Sequence, residues 1–189
     1  MANSKSAYSF AGKKQKPDTH IIVVWVDNEA GVLARVVGLF SGRGYNIESL
    51  AVAEVDQKQN ISRITIVTTG TPQVVNQIKL QLKKLVPVHK VADFKREDKN
   101  VIFKEMALFK FVANNGKLNK AFEACKNFNP VILDKTNKSN VIQITALRRE
   151  IDKMSNDLKK FGLVSVSRTG AVAMTRLSLI HISEPTRPY

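Results

Sequence analysis

The feature that most constrains the fold is the order in which two hydrophobic periodicities alternate along residues 20–94. An apolar run of β-branched and aromatic residues, Ile21 to Val26, predicts a strand. From Gly31 the period becomes helical, and the residues predicted to share one helical face are Val32, Leu33, Val36, Val37 and Phe40. Because both faces of the first strand are apolar, its sheet needs cover on both sides, and helices on one side leave the other to dimerisation or docking.

Three further strands and a second helix complete the pattern. The predicted elements are strands over 21–26, 46–56, 61–68 and 88–94 and helices after Gly31 and after Thr71. The order β-α-β-β-α-β is the split βαβ arrangement of a ferredoxin-like fold. We therefore predict an α+β domain in which two helices cover one face of a four-stranded antiparallel sheet.

Composition shifts divide the rest of the chain. A charged run without apolar residues predicts a linker over 95–101, and the pattern then returns over 102–176, which we interpret as a second small α+β, ferredoxin-like domain. Its end is predicted to be a last strand or hairpin that bends at Gly170. Residues 1–19 are polar and lysine-rich and predict a disordered extension. Residues 177–189, LSLIHISEPTRPY, fit neither pattern and are interpreted as an artefact derived from a sequencing adapter.

The 189-residue chain carries a net charge of +14, which raises nucleic acid as a partner. Most of the excess is lysine spread over residues 95–176, so a solvated face, or a face that docks an acidic protein through Arg148 and Arg149, is the favoured interpretation. A basic nucleic-acid-binding protein of ferredoxin-like fold remains the alternative, although the third strand, 61–68, lacks the aromatic residues that stack bases in RNA-recognition domains. No apolar run is long enough for a membrane helix, and we predict a cytoplasmic protein without a membrane partner.

No pattern of residues points to catalysis or to a metal site. Cys125, the only cysteine, is predicted to lie on the apolar face of a helix as an inert thiol. His20 and His89 begin predicted strands without ligand-spaced partners. Glu48 and Glu54 are predicted to share a face of the second strand, where a solvated pair is the default interpretation.

The turn from Asp27 to Gly31 joins a strand end to a helix start. Free backbone N–H groups and the helix dipole favour a carboxylate there, and Gly31 permits close approach of a ligand. An ordinary helix cap supplied by Asn28 or Asp27 explains the same residues equally well. A free amino acid fits the first interpretation, because its carboxylate suits the helix end and its side chain suits an apolar gap.

The stretch DNEAGVLARVVGLFSGRGYNIESLAVAEV, followed by SRITIV and QIKLQLKKLVPVHKV, resembles the small regulatory subunit of acetolactate synthase, also called acetohydroxyacid synthase, whose N-terminal half is an ACT domain. KEMALFKF and FGLVSVSRTGAVAMTR extend the resemblance into the second half. The resemblance implies a chain without catalytic residues or a cofactor of its own. It also implies that the chain activates a catalytic subunit, a transferase that holds thiamine diphosphate and Mg, and confers feedback inhibition by valine in branched-chain amino acid biosynthesis.

The resemblance further implies a homodimer whose ACT domains pair side by side, the large catalytic subunit as a partner, and free valine as the allosteric effector. The implied effector-binding residues are Asn28, Glu29, Ala30, Gly31, Val32, Leu33, Asn46 and Ile47. Of these, Asn28 and Gly31 are expected from one chain and Asn46 from the second chain.

Overall fold

The structure is a computed structural model that describes residues 16–96 and 98–176. Its strands are β1 (Asp18–Asp27), β2 (Ser49–Asp56), β3 (Ile61–Gly70), β4 (Val88–Lys95), β5 (Val101–Val112), β6 (Val131–Lys135), β7 (Ser139–Ala146), β8 (Leu163–Arg168) and β9 (Val172–Thr175). Its helices are α1 (Val32–Ser41), α2 (Pro72–Leu82), α3 (Asn115–Cys125) and α4 (Arg148–Asp157), with short 3₁₀ turns at 126–128 and 158–161. None of the helices in these two ranges has the length and apolar character needed to cross a membrane.

The first four strands form one antiparallel sheet in the order β2-β3-β1-β4. We call this sheet with α1 and α2 the N-terminal unit. Register is continuous along β1, from Asp18 opposite Gly70 to Asp27 opposite Ile61. The order is that of a ferredoxin-like fold, so the predicted α+β class and β-α-β-β-α-β sequence of elements are confirmed.

Helix α1 buries a narrower stripe than its sequence predicts. Val32, Val36 and Phe40 are buried as expected, and Leu39 joins them. Leu33 and Val37, predicted on the same face, are instead 40% and 37% exposed. A single helix can press only part of its surface onto the sheet, so residues at the margin of a wide apolar face stay uncovered in one chain.

The outer face of β1 is covered from within the same chain. Ile21, Val23 and Trp25 pack in one cluster with residues of the second half: Val101, the first residue of β5, Ala171, which precedes β9, and Ala173 within β9. The expectation that dimerisation or docking supplies this cover is therefore wrong. Trp25 is only 6% exposed and has Arg63 and Lys90 near its ring, so its ring is not available to stack on a base.

The remaining strands form a second antiparallel sheet in the order β6-β7-β5-β8, which with α3 and α4 makes the C-terminal unit. Strand β5 is 12 residues long and pairs with β8 along one part and with β9 along another. β8 and β9 therefore continue one edge along β5 and are not a hairpin. The break between β8 and β9 lies at Gly170, whose φ of +81° is a conformation that favours glycine.

A partly buried ion-pair network links α4 to the second sheet. Glu105, 3% exposed, accepts from Nε and Nη2 of Arg168 at 2.7 and 2.9 Å, while Nη1 of Arg168 reaches Asp152 on α4 at 2.6 Å. The hydrogen bonds to Glu105, in the first place, raise the pKa of the Arg168 guanidinium. This network is invisible in the sequence because its three members come from distant elements.

Three predicted boundaries shift. Asp18 and Thr19, placed in the disordered extension, begin β1 because they pair with the end of β3. Residues 46–48 precede β2, so Glu48 and Glu54 do not share a strand. Lys95 ends β4 and Val101 begins β5, which leaves 96–100 between the units. Residues 1–15 and the interpreted artefact at 177–189 lie outside the described residues.

Candidate functional site

The loop between β1 and α1 is held by the turn that precedes β3. The backbone N–H of Asn28 donates to the carbonyl of Asn60 at 2.7 Å, and the Asn60 side chain donates back to the Asn28 carbonyl at 3.2 Å. The Asn28 side-chain oxygen accepts from the hydroxyl of Ser62 at 3.0 Å. Sequence reasoning missed Asn60 and Ser62, because only the register of β1 with β3 brings them beside Asn28.

Neither residue proposed as an ordinary cap performs that task. Asn28 is engaged by Ser62, and the carboxylate of Asp27 lies 2.6 Å from Nε2 of His89 on β4. The N-cap residue is Gly31, in the left-handed conformation with φ of 85°, and it makes no side-chain cap. Helix α1 therefore begins with an open end.

The open end presents unpaired donors. Val32 donates weakly, at 3.4 Å, to the Glu29 carbonyl, and the helical ladder starts with Arg35 donating to Gly31 at 3.0 Å. Within the part of the chain that the structure describes, the N–H groups of Leu33 and Ala34 have no acceptor. No acidic side chain occupies the first turn, so the partial positive charge of the helix end is not neutralised there.

The predicted effector residues fall into two groups. Asn28, Glu29, Ala30, Gly31 and Leu33 are exposed around the helix start, and Val32 is buried beneath it. Asn46 is exposed and Ile47 partly buried in the loop before β2, where the hydroxyl of Thr68 donates to the Asn46 carbonyl at 2.7 Å.

The two groups lie at opposite ends of the sheet. The loop of Asn28 follows Asp27, which pairs with Ile61, whereas the loop of Asn46 leads to Ser49, which pairs with Val67. Val67 pairs with Ile21, so the separation along β1 is about 20 Å at the usual rise per strand residue. One chain does not bring Asn28 and Asn46 together.

The loop of Asn46 touches the C-terminal unit directly. Glu48 accepts from the hydroxyl of Thr69 and lies 3.5 Å from Nη2 of Arg148, the first residue of α4. Ser49 accepts from the backbone N–H of Ala171 at 3.3 Å. Arg148, predicted to dock an acidic protein, is thus engaged within the chain.

The other candidate residues serve packing. Cys125 is fully buried, and burial raises the pKa of its thiol to about 11, which leaves it unreactive near neutral pH. His20 is 4% exposed and its Nδ1 lies 2.8 Å from Asp93 on β4. Across residues 16–96 and 98–176, no group of three metal-ligating side chains comes together.

Comparison with known proteins places this geometry in a family. Residues 22–90 match the family model described as an AHAS small subunit-like ACT domain, and residues 104–177 match the model for the small subunit of acetolactate synthase. The acetolactate synthase small subunit of Mycobacterium bovis is 36% identical over 160 residues, which cover 85% of this chain and 94% of that protein. The chain belongs to the acetolactate synthase small-subunit family.

Other members agree with this assignment. The small subunit from Aquifex aeolicus is 36% identical over 87% of this chain and 84% of its own. The crystal structure of the small subunit from Thermotoga maritima superimposes with a TM-score of 0.76 at 33% identity, covering 84% of this chain and 97% of that one. A small subunit with an ACT domain has a regulatory role in branched-chain amino acid biosynthesis, and membership implies association with a catalytic subunit.

Proposed function

We propose that this chain is the valine sensor of acetolactate synthase, activating the thiamine-diphosphate-dependent catalytic subunit and conferring feedback inhibition when valine binds at the start of α1. The observation that carries the proposal is the open helix end at Gly31, where neither Asn28 nor Asp27 supplies a cap. A carboxylate there accepts hydrogen bonds from the first-turn N–H groups and meets the positive end of the helix dipole.

Valine suits the size of such a site. Its carboxylate takes the N–H groups of Leu33 and Ala34, and its ammonium suits carbonyl oxygens of the exposed loop at 28–30. With about eight non-hydrogen atoms at about 1 kcal/mol each, micromolar affinity lies below the ceiling for small ligands.

The other half of the site comes from a second copy of the chain. β2 is an edge strand that pairs only with β3 among the described strands, and exposed apolar residues lie on β2 itself, at Val52, and on α1, at Leu33 and Val37. Antiparallel pairing of two β2 edges about a two-fold axis sets the start of one β2 beside the end of the other. Asn46 and Ile47 of the second copy then approach Asn28 and Gly31, across the gap that separates them within one chain.

The contacts of Glu48 and Ser49 give an occupied site a route to the C-terminal unit. Both residues directly follow Ile47, and they reach Arg148 and Ala171. A change in the loop of Asn46 on valine binding would alter these contacts. Such a difference in contacts between two states is what an allosteric coupling requires.

A matched pair of substitutions at Gly31 tests the site. Asn and Asp have nearly the same size and are both tolerated in the left-handed conformation of Gly31. This conformation is not the extended one in which Asn114 caps α3, so the two variants differ in the negative charge that only Asp adds at the helix start. In calorimetric titration with valine, we expect Gly31→Asp to weaken binding at least about 30-fold and Gly31→Asn to weaken it much less. Asn28→Ala, which removes the contact with Ser62, should also weaken binding.

The same variants, reconstituted with the catalytic subunit, separate sensing from docking. Gly31→Asp should abolish inhibition by valine and keep the activation of acetolactate production. Equal loss of activation would assign the loop to folding or docking. Absence of heat from valine, leucine and isoleucine with the reconstituted complex would refute the sensor.

A further inference from the structure

A second concave region lies between the two units, and two of its lining residues, Arg148 and Ala171, contact Glu48 and Ser49 just after the loop of Asn46. It is a cavity of about 500 Å³ whose floor includes Ile21, Val67 and Val101. Its lining carries six basic residues, Arg96, Lys99, Lys104, Arg148, Arg149 and Arg176, against two acidic ones, Asp98 and Glu150. None of the eight predicted effector residues lines it.

The two acids offset only two of the six positive charges, and each carboxylate also accepts a backbone hydrogen bond. Asp98 accepts from the N–H of Asn100 at 2.9 Å, and Glu150 accepts from the N–H of Leu147 at 2.8 Å. Among the described residues, Arg148 is the only one of the six basic side chains in an ion pair. With six basic against two acidic side chains in its described lining, the cavity keeps an excess of four positive charges and hence a positive potential.

The guanidinium of Arg148 has a donor group without a hydrogen-bond acceptor. Its Nη2 lies 3.5 Å from Glu48, but its Nη1 is buried without a hydrogen-bond partner. A buried donor without an acceptor is costly. Arg148 and Arg149 are also the first two residues of the ten-residue helix α4, and since Glu150 in the same turn offsets the helix dipole, the positive charge here comes from the two side chains.

We propose that this cavity binds a small oxyanion of the phosphate class, held by Arg148 and Arg149. The planar guanidinium matches phosphate oxygens in pairs, and the charge of phosphate at neutral pH suits several convergent basic groups. The same chemistry is offered by free phosphate, by diphosphate and by a phosphoryl group on an organic molecule. A concave site enclosed by both units favours a small ligand over the flat surface of a docking protein.

The proposal predicts the direction in which a substitution at Glu48 changes anion affinity. Glu48 competes with the oxyanion for Arg148, since both are negative and meet the same guanidinium. Glu48→Gln should therefore tighten anion binding severalfold. Glu54→Gln makes the same change of charge on an exposed residue of β2 outside the cavity, and it should leave the affinity within about twofold.

Calorimetric titration of the full chain in a low-salt buffer without phosphate tests the site with three probes: inorganic phosphate, diphosphate and phenyl phosphate. We expect saturable binding at one site per chain that weakens at least fivefold in Arg149→Gln. Lys153→Gln removes one positive charge from the same helix outside the lining and should change the affinity less than twofold. The relative affinities distinguish free phosphate from diphosphate and from a phosphoryl group on an apolar molecule.

Thermal unfolding of each variant without anion shows whether the fold is retained. Arg149→Lys, which retains the charge, should recover part of the affinity. Equal weakening by Arg149→Gln and Lys153→Gln would mean that only net charge matters and would overturn the proposal. Absence of saturable binding by all three probes would also overturn it. So would an Arg149→Gln chain that binds anions as before but no longer co-purifies with the catalytic subunit, because Arg149 would then serve docking.

Discussion

The N-terminal and C-terminal units share one order of elements and differ where their first helices begin. α1 follows Gly31, which supplies no side-chain cap, whereas α3 follows Asn114, whose side chain accepts from the N–H of Lys117 at 3.0 Å. The two helices follow the first strands of their units, β1 and β5. One fold thus carries an open helix end in one unit and a closed end in the other.

This difference shows that topology alone does not provide a binding site. A capped helix end has already satisfied its donors with its own chain, so a ligand gains little there. The open end at Gly31 leaves stabilisation to an external carboxylate. The C-terminal unit instead contributes the ribbon of β5 and β9 that covers Trp25.

The substitution with the largest expected effect tests whether the two units unfold independently. Phe109 is fully buried in the core of the C-terminal unit, and Phe109→Ala should cost about 3–5 kcal/mol of unfolding free energy. Because β5 also covers the first sheet, the transition of Trp25, the only tryptophan, should shift as well. Urea unfolding followed by Trp fluorescence and by far-UV circular dichroism measures both.

Coincident shifts of the two signals would show one cooperative structure. A Trp25 transition that stays in place while the circular dichroism signal splits would show that the units unfold separately, and that the ribbon adds little to the N-terminal unit.

A smaller effect is expected where the units approach most closely. Gly170 has φ of +81°, and a Cβ at this position would lie 2.6 Å from the hydroxyl of Ser49. Gly170→Ala should therefore cost about 1–3 kcal/mol, and it should also disturb the contact of Ser49 with Ala171. Thermal unfolding measures the loss of stability, and valine titration measures its effect on the loop of Asn46.

Gly116→Ala is the control for this change. Gly116 lies in α3 with ordinary helical geometry, and an added Cβ would meet only the Asn114 side chain at 3.9 Å. This substitution should be neutral or stabilise by about 0.5 kcal/mol. Destabilisation by both substitutions to the same extent would refute the close approach at Ser49 as the cause.

Much of the fold could be predicted from the sequence, because strand and helix periodicities alternate clearly in both units. Periodicity did not reveal what covers each apolar face. The sequence pattern assigned the cover of Ile21, Val23 and Trp25 to another chain, whereas β5 is long enough to serve both sheets. Leu33 and Val37 were placed on a buried face because the pattern cannot tell a covered margin from an uncovered one.

The candidate site was also predictable only in part, because local sequence signals locate a loop but not its long-range partners. A strand, a small turn and Gly31 before a helix are local signals, and they located the loop. The alternative of an ordinary cap stayed open, because the partners of Asn28 and Asp27 come from β3 and β4. Likewise, the cavity between the units depends on long-range packing that brings Arg96 and 98–104 beside the start of α4.

A third prediction concerns substitutions that make the capped start of α3 resemble the open start of α1. Asn114→Ala should cost about 1 kcal/mol, because it removes the hydrogen bond to Lys117, whereas Asn114→Gly should cost only a few tenths. Neither should change valine affinity or stoichiometry, because the C-terminal unit lacks the loop of Asn28. A second equivalent of bound valine in Asn114→Gly would show that an open helix end is sufficient, and that the surrounding loop contributes little.

The smallest effect concerns the pH dependence of the C-terminal unit, which contains the only cysteine. Burial raises the pKa of Cys125 from its ordinary value of 9.0 to about 11, so between these values the unfolded chain loses a proton that the folded chain keeps. Stability should be unaffected by this group below about pH 9 and should fall as the pH rises from there toward 11. Cys125→Ala should remove this part of the pH dependence, as measured by urea unfolding at pH 8 and pH 10, although it lowers stability at both values by leaving space in the core. If the free energy of unfolding differs between pH 8 and pH 10 by the same amount in Cys125→Ala, the alkaline loss of stability belongs to other groups. Rapid reaction of the folded chain with a thiol reagent at pH 8 would contradict the burial of Cys125 itself.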